Sequence, residues 1–364
     1  FFEILDSQKI DPENREESAI YVSALLSEIE HYAPQLAGKT VPTVFFGGGT
    51  PTLLPPASLD KILGKVKNHY NLSKDCEITI EANPATVKQE TLEQIRSFGF
   101  NRISIGVQSF DADELKLLER VHSVEEIHTT VDRARLAGFS NLSLDLMSGL
   151  PGQSPEKWKL NLQQALKKKP SHISAYGLTI EPATSFFKLQ QRGLLSLPHE
   201  ETQLEMFQAT IEIFSSAGLV QYEISNFARP GFECRHNLNY WDNGEYLGLG
   251  AGASSYLNGE RFKNTNLPSR YIREVQAKGS AVESTEKLDL LHAMGETIML
   301  GLRRLKGIPI EEFENRFQIS FKKVYGNVID PLLDEGLITL NQNRMALSRR
   351  GIFLADSVIL KFLA

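Results

Sequence analysis

Apolar positions along this chain fall into two alternating periods, one helical and one extended, from Glu17 to about Ser225. Glu17 to Tyr32 carries Ile20, Leu25, Ile29 and Tyr32 at helical spacing with Val22 beside them, and Ser58 to Tyr70 repeats this with Leu59, Ile62, Val66 and Tyr70. Lys88 to Phe98 reads as a third helix, closed by Gly99 where a left-handed residue suits a helix end. Val124 to Ala137 is a fourth. Ser154 and Pro155 supply the cap and first turn of a fifth, with Trp158, Leu162 and Leu166 facing inward. Glu201 to Ala217 places Leu204, Phe207, Ile211 and Phe214 on its inner face. Between these helices, Thr43 to Phe46, Glu77 to Ala82, Arg102 to Val107, Asn141 to Met147, His172 to Ile180 and Val220 to Ser225 read as strands. Such alternation predicts parallel strands joined by right-handed crossovers, and so many units in one run favour a full or partial (βα) barrel. Ahead of it, Phe1 to Leu5 is apolar, and polar Asp6 to Glu16, with Pro12, predicts a loop.

The rhythm changes near Asn258. Leu288 to Leu305, Pro309 to Phe317, Phe321 to Leu333 and Gly351 to Leu363 read as helices, with a hairpin at Leu337 to Leu347. The pattern therefore predicts an α/β domain over residues 1–257 and a smaller, mainly helical domain over 258–364.

Composition narrows the class. The chain has 364 residues, 41% hydrophobic and 23% charged, with 26 Gly and 16 Pro, which suits a folded domain with a large core and a smaller appendage. A formal net charge of -6 argues against a general polyanion binder. Cys76 and Cys234 are the only cysteines, too few for a disulfide framework, so a reducing cytoplasm is the default compartment. No apolar run reaches bilayer-spanning length, which leaves peripheral membrane contact open.

Candidate chemistry sits at the strand ends. Gly47, Gly48, Gly49 and Thr50 follow the first strand, and bare glycine backbone lets a ligand approach closely. A ligand cradle and a plain strand-to-loop turn fit that run equally well. Glu81 and Asn83 stand at the end of the second strand, Gln108 and Ser109 at the third, and Asp145 with Gly149 at the fourth. Glu81, Gln108 and Asp145 end strands that are otherwise apolar. The carboxyl ends of parallel strands form the active face of such folds, so the pattern points to a small-molecule site there.

GGGTPT (Gly47 to Thr52), IEANP (Ile80 to Pro84), GFNRISIGVQSF (Gly99 to Phe110), LDLMSGLP (Leu144 to Pro151) and YEISNFARPG (Tyr222 to Gly231) stand in order along the chain. With them the sequence resembles the radical S-adenosylmethionine proteins related to oxygen-independent coproporphyrinogen III oxidase, most closely the HemW-type haem chaperones. The resemblance implies a partial barrel with a winged-helix-like C-terminal domain. It places S-adenosylmethionine on Gly48, Gly49 and Thr50, with Glu81, Gln108, Arg120 and Asp145 fixing the rest of the cofactor. It also implies a 4Fe-4S cluster on a CxxxCxxC loop, a motif this sequence lacks. In relatives that loop follows the first barrel strand, so the expectation is that strand and loop precede Phe1; Cys76 is expected at a strand start, as a packing thiol.

A second motif lies in ECRHNLNYW, Glu233 to Trp241. By chemistry alone, His236 is either an axial nitrogen for haem iron beside the flat apolar surfaces of Tyr240 and Trp241, or a loop histidine bonded to backbone. HNxxYW marks the HemW-type branch, so the resemblance implies haem b at His236 and delivery to a haem-acceptor protein; Cys234 is a second ligand candidate. Small residues in Leu247 to Ser255 are expected to pass closely beneath the site. The alternative activity is oxidation of coproporphyrinogen in porphyrin biosynthesis. A winged helix invites nucleic acid, but Arg303, Arg304, Lys306, Lys322, Lys323, Arg349 and Arg350 are interleaved with acids, which predicts a solvated face and no nucleic-acid partner.

Overall fold

The computed structural model describes residues 15–363 apart from 183 and 342; of the loop expected over Asp6 to Glu16, residues 6–14 lie outside the described residues, while Arg15 and Glu16 already belong to the first helix. The chain starts with α1 (Arg15–Tyr32) and β1 (Thr40–Phe46), then α2 (Pro56–His69), β2 (Asn71–Ala82), α3 (Gln89–Phe98) and β3 (Arg102–Gln108). Gly99 closes α3 at φ +110°. A short α4 (Ala112–Leu117), which the periodicity did not reveal, precedes α5 (Val124–Leu136) and β4 (Asn141–Ser148). Ser123 and Glu126 form a reciprocal capping box at the start of α5. Next come α6 (Pro155–Lys167), capped by Ser154, β5 (His172–Gly177), α7 (Ser185–Gln191) and α8 (Glu200–Ser216). Strands β1 to β5 pair in sequence order and in parallel, and β6 (Val220–Gln221) and β7 (Asn226–Ala228) complete a seven-stranded sheet ordered β1-β2-β3-β4-β5-β7-β6.

Two expectations are corrected here. The run Val220 to Ser225 is not one parallel strand: β7 doubles back and inserts antiparallel between β5 and β6. Glu223 causes the reversal, because its carboxylate accepts from the Ser225 N–H at 3.1 Å and from the Asn226 amide. On α8 the buried positions are Met206, Ala209, Thr210 and Phe214, while Leu204 is exposed.

After α9 (Arg235–Trp241) the chain forms β8 (Ser254–Leu257) and β9 (Glu260–Asn264), then α10 (Pro268–Lys278) and β10 (Val282–Glu286). These three strands make an antiparallel sheet, and residue 257 lies within its first hairpin. Tyr271 and Val275 of α10 pack in the same core as α1 and the large sheet. A second core begins with Met294 on α11 (Leu290–Gly301). It is completed by β11 (Ile308–Pro309), α12 (Ile310–Phe317), α13 (Phe321–Asp334), β12 (Ile338–Asn341), β13 (Arg344–Leu347), α14 (Arg349–Ile352) and α15 (Ala355–Leu360). Its strands form a small antiparallel sheet, so this unit is helices on a three-stranded wing. The Leu247–Ser255 loop is held by Glu28 of α1, which accepts from the Gly250 N–H at 2.8 Å, Asn264 at 2.7 Å and the Tyr271 hydroxyl at 2.6 Å.

Candidate functional site

Side chains alternate across a strand, and here the alternation separates an apolar face under the helices from a polar barrel interior. Ile78, Ile80 and Ala82 of β2, Ile103, Ile105 and Val107 of β3, and Leu142, Leu144 and Leu146 of β4 belong to the core. The intervening positions are Glu77, Thr79 and Glu81; Arg102, Ser104 and Gln108; Ser143 and Asp145; and, on β5, His172 and Ser174. The expectation that these strands are otherwise apolar is therefore corrected: polar residues occupy their alternate positions. Their alternate residues face inward together.

The glycine run ends β1 as a tight rim. A Cβ on Gly47 would stand 2.6 Å from the Phe45 ring and 3.0 Å from the Glu81 carboxyl, so only glycine fits. Gly48 at φ +97° aims its N–H at Glu81 Oε2, 3.1 Å away, and Thr50 is also left-handed, at φ +53°. Burial, then the charge of Asp145, pushes the Glu81 carboxyl up to about 7. Asp145 sits three residues inside the end of β4, not at its tip. It accepts from the hydroxyls of Ser174 at 2.7 Å, Ser104 at 2.9 Å and Ser143 at 3.3 Å, and burial raises its pKa in spite of them. Gln108 ends β3 at φ +63°, a conformation uncommon outside glycine. Arg120 follows α4, exposed and without a carboxylate partner among the described residues.

Several residues that support this rim escaped the sequence reading. Arg102, 2% exposed, lies in the interior with its charge acting on Asp145 and Glu77. His172 stands 2.8 Å from the Ser143 hydroxyl and 2.8 Å from that of Tyr222; burial, then Arg102, keeps it neutral. His122 joins two strand ends, 2.9 Å from Asn83 Oδ1 and 3.3 Å from the Val107 carbonyl. The signal for Arg102, Ser143 and His172 was the two-residue period of their strands.

Helix α9 covers the adjoining part of the interior. Glu77 receives its first N–H groups, those of Arg235 and His236, each at 3.2 Å, and the Cys234 thiol at 3.7 Å. His236, 8% exposed, stacks on Phe45 with centroids 5.0 Å apart. Its Nδ1 lies 2.9 Å from the Thr43 hydroxyl and its Nε2 3.0 Å from the Tyr240 hydroxyl; burial pushes its pKa down to about 3. His236 lines a cavity of about 340 Å³, walled by Phe45, Leu25, Val66, Tyr70 and Tyr246. Trp241 faces the other way, toward the second unit, where the Arg303 guanidinium covers its ring at 4.7 Å. The motif thus brings His236 and Tyr240 together and separates Trp241 from them.

Some basic residues of the second unit are already engaged: Arg304 pairs with Asp242 at the end of α9, and Arg350 donates to the Glu335 carbonyl at 3.1 Å. Both cysteines are buried; Cys76 sits in the middle of β2 rather than at a strand start, and burial pushes each thiol up to about 11. No group of three or more His, Cys, Asp or Glu side chains among the described residues could hold a metal ion, so these residues do not fit a 4Fe-4S cluster.

A parallel half-barrel with a glycine rim and two carboxylates in its interior is the fold of the radical SAM class, and the radical SAM superfamily matches residues 16–164. The HemN C-terminal domain matches residues 288–354. Heme chaperone HemW of Lactococcus lactis is 36% identical over 343 residues, 94% of this chain and 89% of that one. Heme chaperone HemW of Escherichia coli is 35% identical over 351 residues, 94% of this chain and 90% of that one. The chain belongs to the haem chaperone HemW family. Among solved structures, coproporphyrinogen III oxidase (HemN) from Escherichia coli, a radical SAM enzyme, superposes with a TM-score of 0.82 at 25% identity, over 96% of this chain and 84% of that one. No helix among the described residues is long and apolar enough to cross a membrane.

Proposed function

We propose that this protein binds haem beside α9 and passes it to acceptor proteins, and that the strand-end rim holds S-adenosylmethionine. The observation that carries the haem reading is His236 in the wall of a 340 Å³, mostly apolar cavity. Burial keeps the imidazole neutral, the form in which it ligates iron. Both ring nitrogens are occupied by hydroxyls, so ligation requires Tyr240 or Thr43 to give one up. The names of the relatives point the same way.

The rim fits S-adenosylmethionine by its donor and acceptor set. The Gly48 and Gly49 backbone is only half-buried, with the Gly48 N–H already donated to Glu81, and two half-buried carboxylates, Glu81 and Asp145, offer acceptors to an ammonium or to ribose hydroxyls. Arg120 is free to pair with the cofactor's carboxylate. S-adenosylmethionine held there would supply the radical chemistry that gives the class its name. The residues described here bind and orient it: Glu81 and Asp145 hold charge against it, and Gln108 fixes one wall.

Titration with hemin tests the haem reading. A Soret shift in the full chain that weakens in His236→Ala supports it, and no shift, or an unchanged one in His236→Ala, ends it. A second reading, coproporphyrinogen oxidation, draws on the HemN superposition over 96% of the chain. Protoporphyrinogen formed anaerobically by the cluster-loaded full-length protein, with reductant and S-adenosylmethionine, would put that reading first.

A further inference from the structure

Behind the rim, the loops leaving β3 and β4 are tied together by a buried network. Its centre is Glu114 on α4, 4% exposed. One carboxylate oxygen, Oε2, accepts from the Ser109 hydroxyl at 2.6 Å, from Asn161 Nδ2 at 3.0 Å and from Gln153 Nε2 at 3.1 Å.

Each of those donors in turn grips loop backbone. Gln153 Oε1 accepts from the N–H groups of Gly149 at 2.8 Å and Leu150 at 3.4 Å. Asn161 Oδ1 accepts from the Phe110 N–H, and the Ser109 hydroxyl oxygen accepts from the Asp111 N–H at 2.9 Å. Ser109 directly follows Gln108, whose φ of +63° a side-chain-bearing residue keeps only where its surroundings impose it. Gly149, at φ +75°, is pinned in the same way on the β4 side.

A carboxylate removed from water is an expensive way to fill space, and a well-packed apolar residue is often at least as stabilising. What the carboxylate provides that an apolar residue lacks is three directed bonds reaching two loops. The second oxygen, Oε1, is buried with no partner among the described residues, so the network is organised on one side of the group, toward the loops.

We propose that Glu114 is a positioning residue of the cofactor site, fixing Gln108 and the Gly149–Pro151 loop at their mutual distance without touching the ligand. This rests on the reading of the rim as the S-adenosylmethionine site. Small displacements of groups that surround a ligand lower affinity steeply, which makes the support testable through binding.

The experiment measures S-adenosylmethionine affinity by equilibrium dialysis, and hemin affinity by Soret titration, on the full chain. Glu114→Gln keeps an acceptor oxygen and is expected to bind S-adenosylmethionine within about twofold of the parent. Glu114→Leu is expected to weaken it about tenfold or more while hemin affinity stays unchanged. Should Glu114→Leu not fold, Ser109→Ala, which removes one bond of the network, decides with an expected loss of about threefold. Unchanged cofactor affinity in Glu114→Leu, or a parallel loss of both ligands, overturns the proposal. Weakening by Glu81→Gln without weakening by Glu114→Leu leaves the rim reading standing and removes only Glu114; absence of binding by the parent chain removes both.

Discussion

Affinity for S-adenosylmethionine is expected to rise between pH 6 and pH 8, and Glu81 is the cause. Burial foremost, and the nearby Asp145 charge second, hold its carboxyl at about 7, with the Gly48 N–H offsetting part of the rise. A ligand that donates hydrogen bonds to this group binds the ionised form. With a pKa near 7, about one molecule in eleven carries ionised Glu81 at pH 6 and about ten in eleven at pH 8, so affinity should climb about tenfold, or ~1.4 kcal/mol. The ligand's own α-amino group, ordinarily near 7.7–8.0, titrates in the same interval. Glu81→Gln shares that ligand titration, so the difference between the two proteins isolates Glu81. Equilibrium dialysis at pH 6, 7 and 8 and constant ionic strength reads the effect directly. Identical pH profiles for the parent and Glu81→Gln would refute the reasoning, because they would mean that the carboxylate does not receive the ligand.

Glu28 gives a stability counterpart: burial raises it to about 7 against its three donors, so its contribution is full below about pH 4.5 and is lost as pH rises through 7. Holding this carboxyl at about 7 rather than in the usual carboxylate range corresponds to ~3 kcal/mol, and urea midpoints at pH 5 and 8 should lie closer together in Glu28→Gln than in the parent. Tyr240→Phe frees His236 Nε2 and is expected to bind hemin at least as tightly as the parent; a loss of affinity in the Soret titration would assign the hydroxyl itself a role in binding. Gly47→Ala drives a methyl group to 2.6 Å from the Phe45 ring and should cost about 1–3 kcal/mol in thermal or urea unfolding. Trp158→Phe removes an indole N–H that donates to the Thr210 hydroxyl at 2.8 Å and the Met206 carbonyl at 3.2 Å in a fully buried site, for an expected loss of about 1–2 kcal/mol by the same measurement.

What was legible in the sequence was whatever repeats locally. The β1 to β5 alternation, the Gly99 stop and the Ser154 cap each depend on a few neighbouring residues, and each is present. The reversal at β7 was hidden because Val220 to Ser225 has strand-like composition, and the turn is made by a side chain, Glu223, bonding backbone two residues on. The β8–β9 hairpin did carry a signal. Asn258 and Gly259, at φ +52° and +75°, form the Asn-Gly pair that favours a two-residue turn between strands. At the site, Glu81, Gln108 and Asp145 were visible as polar residues near strand ends. Glu114 and Asn161 were not, because their roles depend on partners 39 to 47 residues away. Asn161 does share the inner helical face of Trp158, Leu162 and Ala165, and a polar residue on such a face is itself a sign of a buried partner.

Phe45 lies between the two candidate ligand regions. One edge abuts Gly47 at the rim, and one face lies against His236 in the cavity wall. The same ring thus touches both regions, so a substitution that tilts it alters the packing of Gly47 and of His236 together, and a change made for one ligand would be read out at both sites.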